Sequence, residues 1–454
     1  MKYKSIVTLL LILLMVIGFS TNAIASEFKD WEQQDLVPTD KEWLITFNLD
    51  YDEVSANETT IFVKDRNGDV VEIELIFVNE RSIKVVPTKQ YLPSETYFLH
   101  IKDVTSAGNS HLTENILLTF TTKGYDVYSL ESGETTKVES FHSFSEAVTV
   151  ANNGEKKYIV KNQNQVVWAY DGVATSAVGS QNHLTLYSTP DLKGQLNFVS
   201  HNTEMRFLDS TEEVAKVEVA NSIGYVELSK IEITPIDLVP NRSYYMVEND
   251  DFIHYVYQNN EYNSYIFGAA PVQLTPGEKY FSWDGKTFGE VVFPQYFQYA
   301  SLRDETSYSA EQLNEMISQL NSSSPLNGLG FAFKDAEAEH NVNALFLLAH
   351  AIHESKWGTS KIATDKNNLF VADGNSSTYE NAGDFHSFAD SINAEAEFIS
   401  SAYLTSNKGF YKGAFLGNKS EGMNVHFDSD PFWGQKIAGK MYELDKVHGQ
   451  LDLQ

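Results

Sequence analysis

The spacing of apolar residues changes near residue 300. Before it they come in short alternating runs: Trp43–Leu49, Thr60–Lys64, Val70–Phe77, Ser82–Val86, Thr96–Ile101 and Leu117–Thr121. A period of two in β-branched and aromatic residues predicts half-buried strands. Asn67-Gly68 reads as a hairpin turn, and Pro87 and Pro93 punctuate edges. So many short strands predict an all-β sandwich over 33–123. A β-rich module follows over 125–235, with one short helix near Phe144–Ala151, and then a Tyr-dense β module over 240–298 ending KYFSWDGKTF. Helical spacing takes over in 302–450. Ser309 with Gln312 makes a capping box for Ala310–Leu320, and Phe331–His340 is a second helix. Ile392, Ala396, Ile399 and Tyr403 mark an amphipathic helix, and Trp433, Ile437, Met441 and Leu444 mark the last. With its own periodic core, this segment is expected to fold apart from the β modules.

Within it, NVNALFLLAHAIHESKWGTSKI at 341–362 is apolar almost all round. Asn343 fits an N-cap and Gly358 a left-handed C-terminal stop. Leu345, Leu348, Ala349 and Ile352 form one stripe, and Phe346 with Leu347 widens it, so the helix is expected to be buried. Glu354 falls opposite the first stripe. A carboxylate there is either bonded to a neighbouring helix or faces a cleft as an acid of raised pKa, because an unpaired buried charge is costly. His350 lies one turn before it and can pair with it. Helices that bind zinc for hydrolysis read HExxH, whereas this one reads HAIHE, so no metal and no other cofactor is expected.

Composition adds a setting. Met1–Lys4 are basic, Ser5–Phe19 mostly apolar, and Ala23-Ile24-Ala25 gives a small-residue cleavage site, so 1–25 reads as a removable secretory signal and no membrane anchor is expected after its cleavage. There is no cysteine, so stability must come from packed cores. The formal net charge of −29 argues against nucleic acid as a partner.

The run AHAIHESKWGTSKIATDKNNLF, followed by FLGNKSEGMNVHFDSDPFWGQKIAGKMYELDK, resembles the glucosaminidase domain of bacterial cell-wall hydrolases, glycoside hydrolase family 73. The resemblance runs from about Leu302 to Lys446. It implies a lysozyme-like α+β catalytic domain that cleaves the β-1,4 bond after N-acetylglucosamine in peptidoglycan, with Glu354 as general acid. LVPTDKEWLITFN and LTFTTKG, bounding the first module, resemble the bacterial Ig-like domains of surface-layer proteins. LTLYSTPD with the late strand IGYVEL resembles SH3-like wall-binding modules, which grip wall peptides. The whole is thus expected to be a secreted, wall-associated monomer acting on glycan strands.

The same resemblance implies substrate contacts at Trp357, Asn368, Phe370, Phe427 and Trp433. For Asn367 and Asn368 a turn-forming role is the other reading. A second carboxylate is implied in the loop after Phe370, where Asp373, Glu380 and Asp384 are the candidates and Asn375 is the best-aligned position. Asp430-Pro431 reads as a helix start, Asp as N-cap and Pro as first helical residue. Three positions depart from the family pattern: Lys356 and Val371 stand where Gly is usual, and Phe427 where Tyr is usual. A wall-binding or adhesion protein with a degenerate groove is therefore the competing expectation.

Overall fold

The computed structural model describes residues 15–17, 19–20, 28–154, 156–177, 183–372 and 376–453. Most of the expected signal segment, together with Asp373 and Asn375, lies outside them. The chain divides into two compact units, one ending at Tyr170 and the other beginning at Asp171. No helix among the described residues is long and apolar enough to cross a membrane.

In the first unit, Trp43–Phe47, Ser82–Pro87 and Ile73–Asn79 lie in one antiparallel arrangement, with Met15–Ile17 alongside Trp43–Phe47 in parallel. A five-stranded sheet is ordered Phe28–Val37, Asn115–Thr122, Thr96–Ile101, Ile61–Asp65, Val70–Val71. Alternation buries Trp43, Ile45, Phe47, Ile83 and Val85 of one sheet with Val63, Leu99, Ile101, Leu118 and Phe120 of the other. The Asn67-Gly68 turn is present, with Gly68 at φ 89°. Phe28–Val37 escapes the sequence pattern because FKDWEQQDLV is mostly exposed and polar, and is held instead by parallel pairing with Asn115–Thr122.

The stretch expected as one module, 125–235, is two sheets on either side of the unit boundary. A four-stranded sheet over 125–169 carries helix α1 (Phe144–Asn153), capped by Ser143. Residues 172–235 form a separate seven-stranded antiparallel sheet. Turn residues and strand lengths look alike on both sides, so the alternation carried no boundary signal.

In the second unit a three-stranded sheet, Tyr244–Glu248, Asp251–Gln258 and Glu261–Ala269, has a small core of Tyr245, Val247, Phe252, Phe267, Leu274 and Phe288. Helices follow: α2 (Tyr296–Tyr299), α3 (Ala310–Leu320), α4 (Gly330–His340), α5 (Ala344–Ser355), α6 (Lys361–Lys366), α7 (Ser376–Asn381), α8 (Phe388–Ala402) and α9 (Trp433–Val447). The α3 capping box of Ser309 and Gln312 is complete. Central α5 packs against α4, α8 and α9. Its residues from Ala344 to Ile352 are all buried, as the all-round apolar pattern requires.

The helices are in contact with the β strands of their own unit, which bears on the expectation that they fold apart from them. Ile266 and Ala269 of the three-stranded sheet join the helical core. Gln435 on α9 accepts hydrogen bonds from the Tyr245 and Tyr265 hydroxyls at 3.0 and 2.8 Å. Asp251 accepts from Tyr442 at 2.9 Å and pairs with Lys446 at 2.6 Å. From the seven-stranded sheet, buried Asn197 donates to the Lys419 carbonyl at 2.8 Å. The strand Glu261–Ala269 of the three-stranded sheet is thus the β surface on which α9 packs.

Candidate active site

The placing of α5 begins at its N-terminus. Asn343 accepts from the Phe346 N–H at 2.8 Å, the expected cap. Buried Glu337 of α4 accepts from the N–H groups of Ala344 and Thr306, both at 2.8 Å, which fixes the α4–α5 turn. Arg303 donates to the carbonyls of His340, Asn341 and Ser400, so one cation closes the C-terminal ends of α4 and α8. The helix stops two residues earlier than Gly358 would place it. Lys356 at φ 52° is the left-handed C-cap, and Trp357 (63°) and Gly358 (82°) continue in that region. Lys356 therefore holds a conformation in which Gly would cost less.

Glu354 lies in the last turn, its side chain 11% exposed. The Trp433 indole N–H at the start of α9 donates to its Oε1 at 3.1 Å. Burial pushes the carboxyl up to about 7; the Trp433 hydrogen bond and Lys436 oppose this, and the charges of Asp428 and Asp430 add to it. Glu354 is thereby poised to hold a proton near neutral pH.

His350 is fully buried, stacked on Phe346 and edged by Phe370, Phe427 and Trp433. Burial and the neighbouring His353 push its pKa down to about 3, so the ring is neutral. His350 Nε2 faces Glu354 Oε1 at 3.7 Å, beyond hydrogen-bonding length and with the ring neutral, so the two groups are juxtaposed and not joined as an ion pair or hydrogen bond. On the other side, Nδ1 faces Oε1 of Glu395 on α8 at 3.9 Å. Burial, with the charge of Glu354 added, pushes Glu395 up to about 8.

Beneath the start of α9, Asp428 is raised by burial, although the Asp430 N–H donates to it at 2.6 Å. Burial would raise Asp430 too, but the Lys436 ammonium and the Phe432 N–H hold it below the usual carboxylate range. The helix starts later than Asp430-Pro431 would place it. Phe432 is the N-cap residue, and Asp430 Oδ1 accepts from the Phe432 N–H at 2.8 Å in a turn that precedes the helix.

Trp433 is 1% exposed and acts as an anchor for Glu354. Phe427 lies 4.5 Å from its ring, and Tyr403 is 5.2 Å from Phe427. Trp357 and Phe370 are partly buried at the rim of the helical core. Asn368 is buried and taken up by its own loop: its amide donates to the Gly383 carbonyl at 3.1 Å and its oxygen accepts from the Phe370 N–H at 3.0 Å. Asn367 is the left-handed C-cap of α6. Of the loop carboxylates, Glu380 is exposed on α7, and Asp384 is exposed and pairs with Lys366 at 3.8 Å. Among the described residues, the carboxyl that faces His350 on the side away from Glu354 is Glu395, which sequence reasoning missed. Its signal was there: in INAEAEFI it falls on the Ile392–Ala396–Ile399 stripe, whereas exposed Glu397 does not.

Residues 330–446 match the family model described as glucosaminidase, mannosyl-glycoprotein endo-beta-N-acetylglucosaminidase. Residues 32–122 match a bacterial Ig-like domain. The chain is 34% identical over 247 residues to a putative endo-beta-N-acetylglucosaminidase of Streptococcus pneumoniae serotype 4 (strain ATCC BAA-334 / TIGR4), covering 54% of this chain and 36% of that protein. The correspondingly named protein of S. pneumoniae strain ATCC BAA-255 / R6 is also 34% identical over 247 residues, again with 54% of this chain and with 34% of its own length covered. The chain thus spans about a third of the length of these curated relatives. Among solved structures, S. aureus autolysin E is similar over 34% of this chain and 72% of its own, at 22% identity and a TM-score of 0.28. A major bifunctional autolysin is similar over 34% of this chain and 69% of its own, at 19% identity and a TM-score of 0.25.

Proposed function

We propose that this protein is a secreted, wall-associated peptidoglycan hydrolase, an endo-β-N-acetylglucosaminidase in which Glu354 is the general acid. The observation that carries this reading is a carboxyl buried at the end of α5, with Oε1 fixed by an indole N–H and burial raising its pKa to about 7. Glycosidic cleavage requires a proton at the departing oxygen as the bond breaks. Trp433 holds Oε1, so the proton is delivered from Oε2, and the carboxylate left behind keeps its indole donor. Phe427, Trp357 and Phe370 offer apolar faces for the sugar rings. The family match over 330–446 and the names of the pneumococcal relatives support the substrate class. The seven-stranded sheet at 172–235 is proposed as an SH3-like element that contacts wall peptides, with the Ig-like domain as a spacer. Function as a monomer needs no partner chain.

The test is Glu354→Gln, assayed on purified sacculi with the melting temperature measured on the same preparation. The amide keeps shape and hydrogen bonding but cannot give up a proton. Release of new reducing N-acetylglucosamine ends should fall ~10²–10⁴-fold, with folding retained because a neutral amide is no harder to bury than a carboxylate. A folded variant that cleaves at the parent rate removes Glu354 from the chemistry. Binding of the parent protein to sacculi without any release of ends would make it an adhesin instead.

A further inference from the structure

The ring nitrogens of His350 have no hydrogen-bond partner among the described residues, and the ring is wholly buried between aromatic side chains. A neutral imidazole carries one N–H donor and one lone pair, and leaving both unmet in an apolar pocket is costly. The polar atoms facing the ring nitrogens are Oε1 of Glu354, 3.7 Å from Nε2, and Oε1 of Glu395, 3.9 Å from Nδ1. Both separations exceed hydrogen-bonding length, as is common at catalytic contacts before substrate binds.

The chemistry at Glu354 decides which nitrogen carries the proton. Oε1 of Glu354 is already an acceptor, for the Trp433 indole N–H. The proton to be delivered therefore sits on Oε2, and Nε2 of His350 can satisfy itself against Oε1 only as a donor. Nδ1 is then the acceptor, and its partner must be a donor. The facing group is Glu395, and a carboxyl donates only as the neutral acid.

We propose that Glu395 is a positioning residue: as a neutral acid it donates to Nδ1 of His350 and so fixes the tautomer that presents Nε2–H to Oε1 of Glu354. The proposal rests on the reading of Glu354 as the acid. When Glu354 gives up its proton, its carboxylate is then held by two N–H donors, with no second anion beside the imidazole. An ionised Glu395 would draw the ring proton to Nδ1 and aim the Nε2 lone pair at the new carboxylate. Burial raises the Glu395 carboxyl and favours its neutral form, and the charge of Glu354, once its proton has left, adds to this. The other groups felt by this trio are His353 at His350, and Asp428, Asp430 and Lys436 at Glu354; Tyr403 is itself raised by burial and by Glu395.

Two variants of the full chain and one spectrum test this. Glu395→Gln keeps an N–H donor toward Nδ1 and should retain kcat within about threefold of the parent, because the hydrogen bond survives. Glu395→Leu removes the donor and should lose about 10- to 100-fold in kcat with KM unchanged. Long-range nitrogen–proton correlation spectra at pH 7 should show His350 as the Nε2–H tautomer in the parent and in Glu395→Gln. A Glu395→Gln variant as inactive as Glu354→Gln would overturn the proposal, since Glu395 would then have to ionise. So would a Glu395→Leu variant with the parent kcat. An Nδ1–H tautomer in the parent overturns it without any variant having to fold. Failure of the acid assignment shows separately, as a fully active Glu354→Gln.

Discussion

At the scale of single residues, the site turns on what stabilises each protonation state of Glu354. The Trp433 N–H favours the ionised form and so holds the carboxyl below where burial alone would put it. Activity needs the protonated form, so the parent rate should fall as pH rises past about 7. Trp433→Phe keeps a smaller aromatic ring at the buried position and removes the donor. The carboxyl should then titrate higher, displacing the fall in rate to higher pH. The carboxylate formed after proton transfer also loses a donor, so the plateau rate should drop about tenfold. A pH–rate profile checks both, and a fall displaced to lower pH would contradict the argument. The place of Glu354 at the end of a buried helix was legible in the sequence because a cap, an apolar helix and a lone carboxylate are local signals, whereas its role as an acid was read from the family resemblance. Glu395 was harder to find because its significance depends on the tertiary packing of α8 on α5, and a second Glu two residues away masks the stripe. The loop candidates Glu380 and Asp384 were placed by resemblance alone, and neither the periodicity nor the caps could say where that loop would lead.

At the scale of elements, α9 is the member that ties the site to the rest of its unit. Its first residue anchors Glu354, and its later turns lie on the three-stranded sheet. The approach is close: a Cβ on Gly439 would stand 1.8 Å from the Ile266 carbonyl oxygen, so helix and sheet backbone meet there. Gly439→Ala should therefore destabilise by about 1–3 kcal/mol, as overpacking does. Helix propensity alone would predict a gain of about 1 kcal/mol from Gly to Ala, so the sign separates packing from propensity. Gly409, with nothing within 4 Å of its Cβ position, is the control and should tolerate Ala. Denaturant midpoints measure both, and a stabilised Gly439→Ala would mean that the helix can lift off the sheet without loss. Helix positions were read well from the sequence because period and caps are local. The contact at Gly439 was not, since a glycine inside a helix looks like a defect until the strand beyond it is seen.

At the scale of the molecule, the site belongs to a unit larger than its helices. A fragment of 300–454 would expose the α9 face that packs on Ile266 and Ala269, and would strip Gln435 of Tyr245 and Tyr265. It would also leave Tyr442 and Lys446 without Asp251, and the Lys419 carbonyl without Asn197. Because Trp433 leads α9, loosening this face should reach Glu354 directly. A fragment of 171–454 retains every one of these contacts. It should unfold in a single cooperative transition and cleave sacculi, whereas 300–454 should melt at a lower temperature, bind hydrophobic dyes and lose activity in step with its order. Differential scanning calorimetry with paired sacculus assays on both fragments makes the comparison. Equal melting temperatures and equal activity would show that the sheets at 172–269 are passengers, and that the helical core is sufficient by itself.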